Sequence, residues 1–120
     1  MIRKKINSDN ENFIGCWNIN NPELCKDIID FFENNTHLHI KGNVTSGKSN
    51  IKKTTDITIF PNDIKKKEFA IFKNFFNELH KCYADYQLQW PFLKENIKII
   101  DIPAFNIQRY NPGDHFSTLH

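Results

Sequence analysis

The feature that most limits the folds open to this chain is the stretch "NDIKKKEFAIFKNFFNELHKCYADYQ" at residues 62–87. Phe69, Phe72, Phe76, Leu79 and Tyr83 recur every three or four positions, which places them on one stripe of a long helix opened by Asn62 or Asp63. So large an aromatic face must be buried against a second layer, and it reads as core rather than as a cofactor box. "NNPELCKDIIDFFENN" at 20–35 supplies another helix. Asn21 can cap it, Pro22 suits its first position, and Glu23 sits where the helix dipole favours an acid. Leu24, Ile28, Phe31 and Phe32 form its apolar face, which ends at Asn34 and Asn35.

The rest of the chain is strand-like. "FIGCWNI" at 13–19, "HLHIK" at 37–41 and "KKTTDITIF" at 52–60 are rich in β-branched and aromatic residues, the last ending at Pro61. "IKIIDI" at 97–102 and "AFNIQRY" at 104–110 read as two further strands separated by Pro103, after a turn at Pro91. "NPGD" then has the composition of a turn that reverses the chain, and "HFSTLH" begins another strand. Strands and helices in this order give an α+β domain. Residues 1–12 read as a polar leader, and 13–120 as a single domain.

Composition excludes several function classes. A length of 120 residues suits one domain with one core. The formal net charge of +2, with lysines scattered rather than striped, gives no footprint for nucleic acid or an anionic membrane. Cys16, Cys25 and Cys82 are odd in number and lack C-x-x-C spacing, so neither a disulfide framework nor a zinc knuckle is expected. The N-terminal leader has no apolar core of a signal peptide, and no later run is long enough to span a bilayer. The expectation is a soluble protein in a reducing, cytoplasmic setting. No feature of the sequence sets an oligomeric state.

Three motifs carry little. "GNVTSGKS", Gly42–Ser49, matches the phosphate-loop pattern G-x-x-x-x-G-K-[ST] and would make the chain a nucleotide-binding protein. A working phosphate loop runs into a helix whose N-terminus holds the anion, whereas here alternating β-branched residues come next. A surface loop between two strands is the simpler reading. His37 and His39 would share one strand face, an arrangement compatible with metal ligation, but no third ligand lies nearby. His80 and Cys82 are neighbours on the long helix without sharing a face, and Cys82 reads as a small core residue.

The end of the chain is more specific. "FNIQRYNPGDHFSTLH" supplies Gln108, Tyr110, Pro112, Gly113, Phe116 and His120 at the spacing aromatic-x-Q-x-Y-x-P-G-x-x-[FY]-x-x-x-H. Upstream, Lys52 or Lys53 with Thr54, Thr55 and Asp56 fill a K-x-[ST]-x-D strand. On these residues the chain resembles Fe(II)/2-oxoglutarate-dependent dioxygenases of the prolyl 4-hydroxylase type, in their phage and microbial forms. The element order agrees over most of residues 13–120, although only the last part of the chain is specific.

The resemblance implies a double-stranded β-helix, or jelly roll, with flanking helices, incomplete here because the chain stops in the second core strand. It implies Fe(II) held by two histidines and a carboxylate, with 2-oxoglutarate as co-substrate, and it allows ascorbate as an accessory. His120 matches the first iron-binding histidine, Tyr110 the tyrosine that hydrogen-bonds 2-oxoglutarate, and Gln108 lines the cofactor or substrate side of the pocket. The reaction implied is hydroxylation of a protein or small-molecule substrate, with release of succinate and carbon dioxide. The remaining ligands, and the Arg or Lys that pairs with the far carboxylate of 2-oxoglutarate, would lie beyond residue 120. The chain is therefore expected to be the N-terminal part of a longer enzyme and inactive alone. A non-catalytic interaction domain is the other expectation from a different class.

Overall fold

The computed structural model describes residues 1–6, 13–43 and 51–117. Two long helices, one short one and several short antiparallel strands among the described residues make a mixed α+β arrangement, and the sheets described do not close into a barrel. Helix α1 (Pro22–Asn34) begins as its sequence requires, with the Asn21 side chain accepting from the Leu24 N–H at 3.1 Å and Pro22 in the first turn. Helix α2 (Ala70–Gln89) starts later than the periodicity suggests. Two single turns of 3₁₀ helix, Asp63–Lys65 and Lys67–Phe69, precede it.

The main sheet has three strands: β3 (Ile40–Lys41), β5 (Thr55–Ile59) and β6 (Phe105–Arg109), in the order β3-β5-β6 and antiparallel throughout. Alternation sends Ile57, Ile59, Phe105 and Ile107 to one face, where they pack with Phe31, Phe32, Phe69, Phe72 and Phe76 from the helical layer. The aromatic rings meet edge to face, Phe72 against Phe31 and Phe105, and Phe76 against Phe105. Full burial of a side chain such as Phe72 or Ile59 stabilises the fold by about 1.5–3 kcal/mol each. The opposite face of the sheet carries Asp56, Thr58, Asn106 and Gln108.

Several expectations are corrected. The polar N-terminal leader carries a strand: β1 (Ile2–Lys4) pairs with β2 (Cys16–Asn18), joining Arg3 to Trp17. Residues 37–41 are not one strand, because Thr36–Leu38 form a 3₁₀ turn and only Ile40–Lys41 pair. Residues 97–102 form no strand. Ile97 and Ile99 are exposed, and no neighbour among the described residues offers a ladder to that segment, so its alternating pattern goes unused. Pro91 leads into a short helix, α3 (Phe92–Asn96), instead of a plain turn.

The largest correction concerns "NPGD". The short strand β4 (Lys52–Lys53) precedes β5, and β7 (His115–Phe116) comes after β6. Thr55 pairs with Arg109 and Lys53 with His115, both antiparallel, so β6 and β7 run in the same direction along one partner run. The Pro-Gly turn does not reverse the chain. It is a bulge in which residues 110–114 pucker out opposite Thr54 alone, and the strand then resumes. Asn111 and Asp114 close its base, each backbone N–H donating to the other residue at 2.8 Å. Gly113 lies in the left-handed region at φ 89°, with open space where a Cβ would go, so backbone conformation alone favours glycine there.

Candidate functional site

On the face of the sheet turned away from the helices, three polar residues spaced two apart are buried. Lys52 is 5% exposed, Thr54 5% and Asp56 2%. The strand period of two brings them to one side, and Lys52, not Lys53, is the lysine at the K-x-[ST]-x-D spacing from Asp56. Lys53 points outward, with Nζ 3.8 Å from Asp114 Oδ1.

Asp56 is the hub. Its Oδ1 accepts from the Thr54 hydroxyl at 2.7 Å, and its Oδ2 accepts from Lys52 Nζ at 3.4 Å and from Gln108 Nε2 at 3.5 Å. Each partner is needed, because a buried carboxylate or ammonium without one is costly. Lys52 also lies over the Phe116 ring, 5.8 Å from its centroid, through the β4–β7 pair. Gly42 covers the cluster. Its N–H donates to the Thr54 carbonyl at 3.0 Å, and its lack of a side chain lets the chain pass directly over Thr54 and Asp56.

Gln108 is thus joined to the upstream strand. Asp56 and Gln108 are direct cross-strand partners, although they are far apart in sequence. Tyr110 stands just past β6 at the start of the bulge, 47% exposed, and its hydroxyl makes no hydrogen bond among the described residues. Gln108 and Tyr110 both border a cleft of about 270 Å³ whose other walls include Ile28, Phe32 and Ile107. Arg109, between them, turns toward α1. Its Nη1 bonds both oxygens of Glu33 at 3.0 and 2.9 Å, and its guanidinium stacks over Phe32.

His120 lies outside the described residues, as do residues 44–50 of the phosphate-loop pattern. The element after that loop is strand β4 and not a helix, and the first glycine of the pattern serves the packing over Asp56. His37 and His39 do not form a pair on one strand face. His39 stacks on Phe32 and its Nε2 is 2.8 Å from the Phe32 carbonyl, while His37 sits exposed in the 3₁₀ turn. Cys82 is buried, as expected of a core residue, and burial pushes its thiol pKa up. Among the described residues, no three His, Cys, Asp or Glu side chains come together as a metal site. Nor is any described helix long and apolar enough to cross a membrane.

One feature escaped the sequence reading. The stripe expected through Phe69, Phe72, Phe76, Leu79 and Tyr83 splits: Leu79 and Tyr83 are not in the core cluster but, with Phe75 and Tyr86, join Phe13 and Trp17 around a cleft of about 540 Å³. The polar tips of its aromatic walls are already engaged: Trp17 Nε1 donates to Asp85 at 2.7 Å, and Tyr86 to the Phe13 carbonyl at 2.6 Å. Phe75 and Tyr86, which flank Leu79 and Tyr83 at helical spacing, were the available signal. Compared with protein-family models, with characterised proteins and with solved structures, the chain matches none.

Proposed function

We propose that this chain contributes part of an Fe(II)- and 2-oxoglutarate-dependent dioxygenase that hydroxylates a protein or small-molecule substrate. The observation that carries the reading is the Asp56–Gln108 pair. The two sequence patterns behind the resemblance, K-x-[ST]-x-D and Q-x-Y, are remote in the chain yet adjacent in the sheet, with their side chains in contact. Accidental matches would have no reason to meet.

The polar side of the sheet also suits a jelly-roll interior, which needs chemistry-bearing side chains opposite the face that packs on helices. In this reading His120 is the first protein ligand of the iron, and Tyr110 offers its exposed phenol to 2-oxoglutarate beside an apolar wall. The iron supplies the oxidative decarboxylation of 2-oxoglutarate that is coupled to hydroxylation. The resemblance puts the other ligands after the position that His120 matches.

The reading frame of the source nucleic acid past the codon for His120 tests this at once. The expected result is any residue and then Asp or Glu, with a further His and an Arg or Lys some tens of codons on. A frame without them would leave the iron a single histidine and favour a non-catalytic interaction domain.

A further inference from the structure

We infer that Gln108 presents its side-chain carbonyl oxygen to the open side of the sheet, and that the ligand group taken there is an N–H or O–H donor, not a carboxylate. The inference rests on the dioxygenase reading in one respect: it assigns Gln108 to the side of the hydroxylated substrate instead of the 2-oxoglutarate side.

A glutamine amide has a donor end and an acceptor end, and the group it faces decides which end turns inward. Here that group is the Asp56 carboxylate, which can only accept. Its Oδ2 stands 3.5 Å from Gln108 Nε2. The opposite orientation would set Oε1 against Oδ2, two acceptors without a proton between them, at a carboxylate that is 2% exposed. So Nε2 faces Asp56 and Oε1 faces away from it. Gln108 as a residue is exposed, which leaves that oxygen within reach of a ligand.

Among the described residues, the charged side chains near Gln108 are already paired. Lys52 is the cation nearest Asp56 among the described residues, and its side chain is only 6% exposed, with Nζ 3.4 Å from Asp56 Oδ2. Among the described residues, cation and carboxylate offset each other, so Lys52 leaves no unpaired positive charge beside Gln108. Arg109, the next residue, is turned to the other face and engaged by Glu33. A carboxylate placed against Gln108 Oε1 would meet a bare acceptor. An amide N–H, an alcohol or an ammonium group would find a partner there. Asp56 thereby acts as a positioning residue, Thr54 and Lys52 hold it, and Gln108 makes the contact.

The test tracks the Gln108 side chain by NMR in the isotopically labelled chain. One Nε2 proton should be shifted downfield and protected from exchange, and both features should disappear in the Lys52→Met/Asp56→Leu double variant, which has no acceptor at position 56. The wild-type signal decides this step alone if the double variant does not fold; a signal like that of a free glutamine overturns the inference. N-methylacetamide and acetate then serve as donor and acceptor probes. The Gln108 side-chain carbonyl carbon should move with N-methylacetamide by at least twice as much as the carbonyls of Gln87 and Gln89, and should not move with acetate. Movement with acetate alone, or with neither probe, overturns it. Absence of Fe(II)-dependent succinate release would instead sink the dioxygenase reading while leaving the Gln108 signals as expected, so the two failures can be told apart.

Discussion

Thr54 Oγ1 stands only 1.8 Å from where the Cβ of any other residue at position 42 would lie, so Gly42 and Thr54 are fitted to each other. The nearest Asp56 oxygen would be 2.9 Å away. Thr54 is committed to Asp56 and buried, so it has little freedom to withdraw. Gly42→Ala is expected to destabilise the protein by about 1–3 kcal/mol in urea denaturation. A neutral result would mean that the cover over Asp56 is loose.

The Lys52–Asp56 pair gives a second expectation. Removing one member strands the other charge in a site that excludes water, whereas removing both does not. Asp56→Asn and Lys52→Met should each cost about 3–5 kcal/mol, and Lys52→Met/Asp56→Asn clearly less than their sum. Additive losses in the double-mutant cycle would contradict the buried coupling.

Much of this architecture was legible locally. Helix α1 announces itself through Asn21, Pro22, Glu23 and a clean apolar stripe, all of which act within one or two turns. The bulge at Tyr110–Asp114 was not legible, because turn chemistry specifies a bend and says nothing about which strand lies on its far side. Whether the chain reverses there is decided by the pairing of His115 with Lys53, a contact distant in sequence. Residues 97–102 failed for the same reason: alternation marks a segment that could pair, and pairing needs a neighbour. The spacing K-x-[ST]-x-D already singles out Lys52, four residues before Asp56. Of the site, Gln108 and Asp56 were both singled out by pattern, but their contact was beyond the reach of any local rule.

The turn before α2 makes a pH-dependent contribution. The Asp63 carboxylate accepts from the Phe60 N–H at 2.9 Å and from Lys66 Nζ at 3.1 Å, and these bonds, the backbone one foremost, hold its pKa below the usual 3.8. A depressed folded pKa stabilises above the unfolded value and is lost as pH falls through the folded one. The stability gap between wild type and Asp63→Asn should therefore be constant above about pH 5 and shrink as the pH drops below 3.8. A gap that does not change with pH would show that the carboxylate charge is unused.

Cysteine reactivity should sort by burial. Cys16 and Cys25 are exposed, whereas Cys82 is buried with its thiol pKa raised, first by desolvation and then by Glu78. Brief iodoacetamide treatment and then mass spectrometry should show the first two labelled and Cys82 spared until the protein is unfolded. Early labelling of Cys82 would contradict its burial on α2.

The dioxygenase reading stands or falls on succinate formation from 2-oxoglutarate, measured with the protein translated from the whole reading frame that contains these residues. Succinate should appear only when Fe(II) is supplied, His120→Ala should abolish it, and Tyr110→Phe should raise the KM for 2-oxoglutarate. Succinate formation that is absent in the wild type, or unchanged in His120→Ala, would contradict the dioxygenase account.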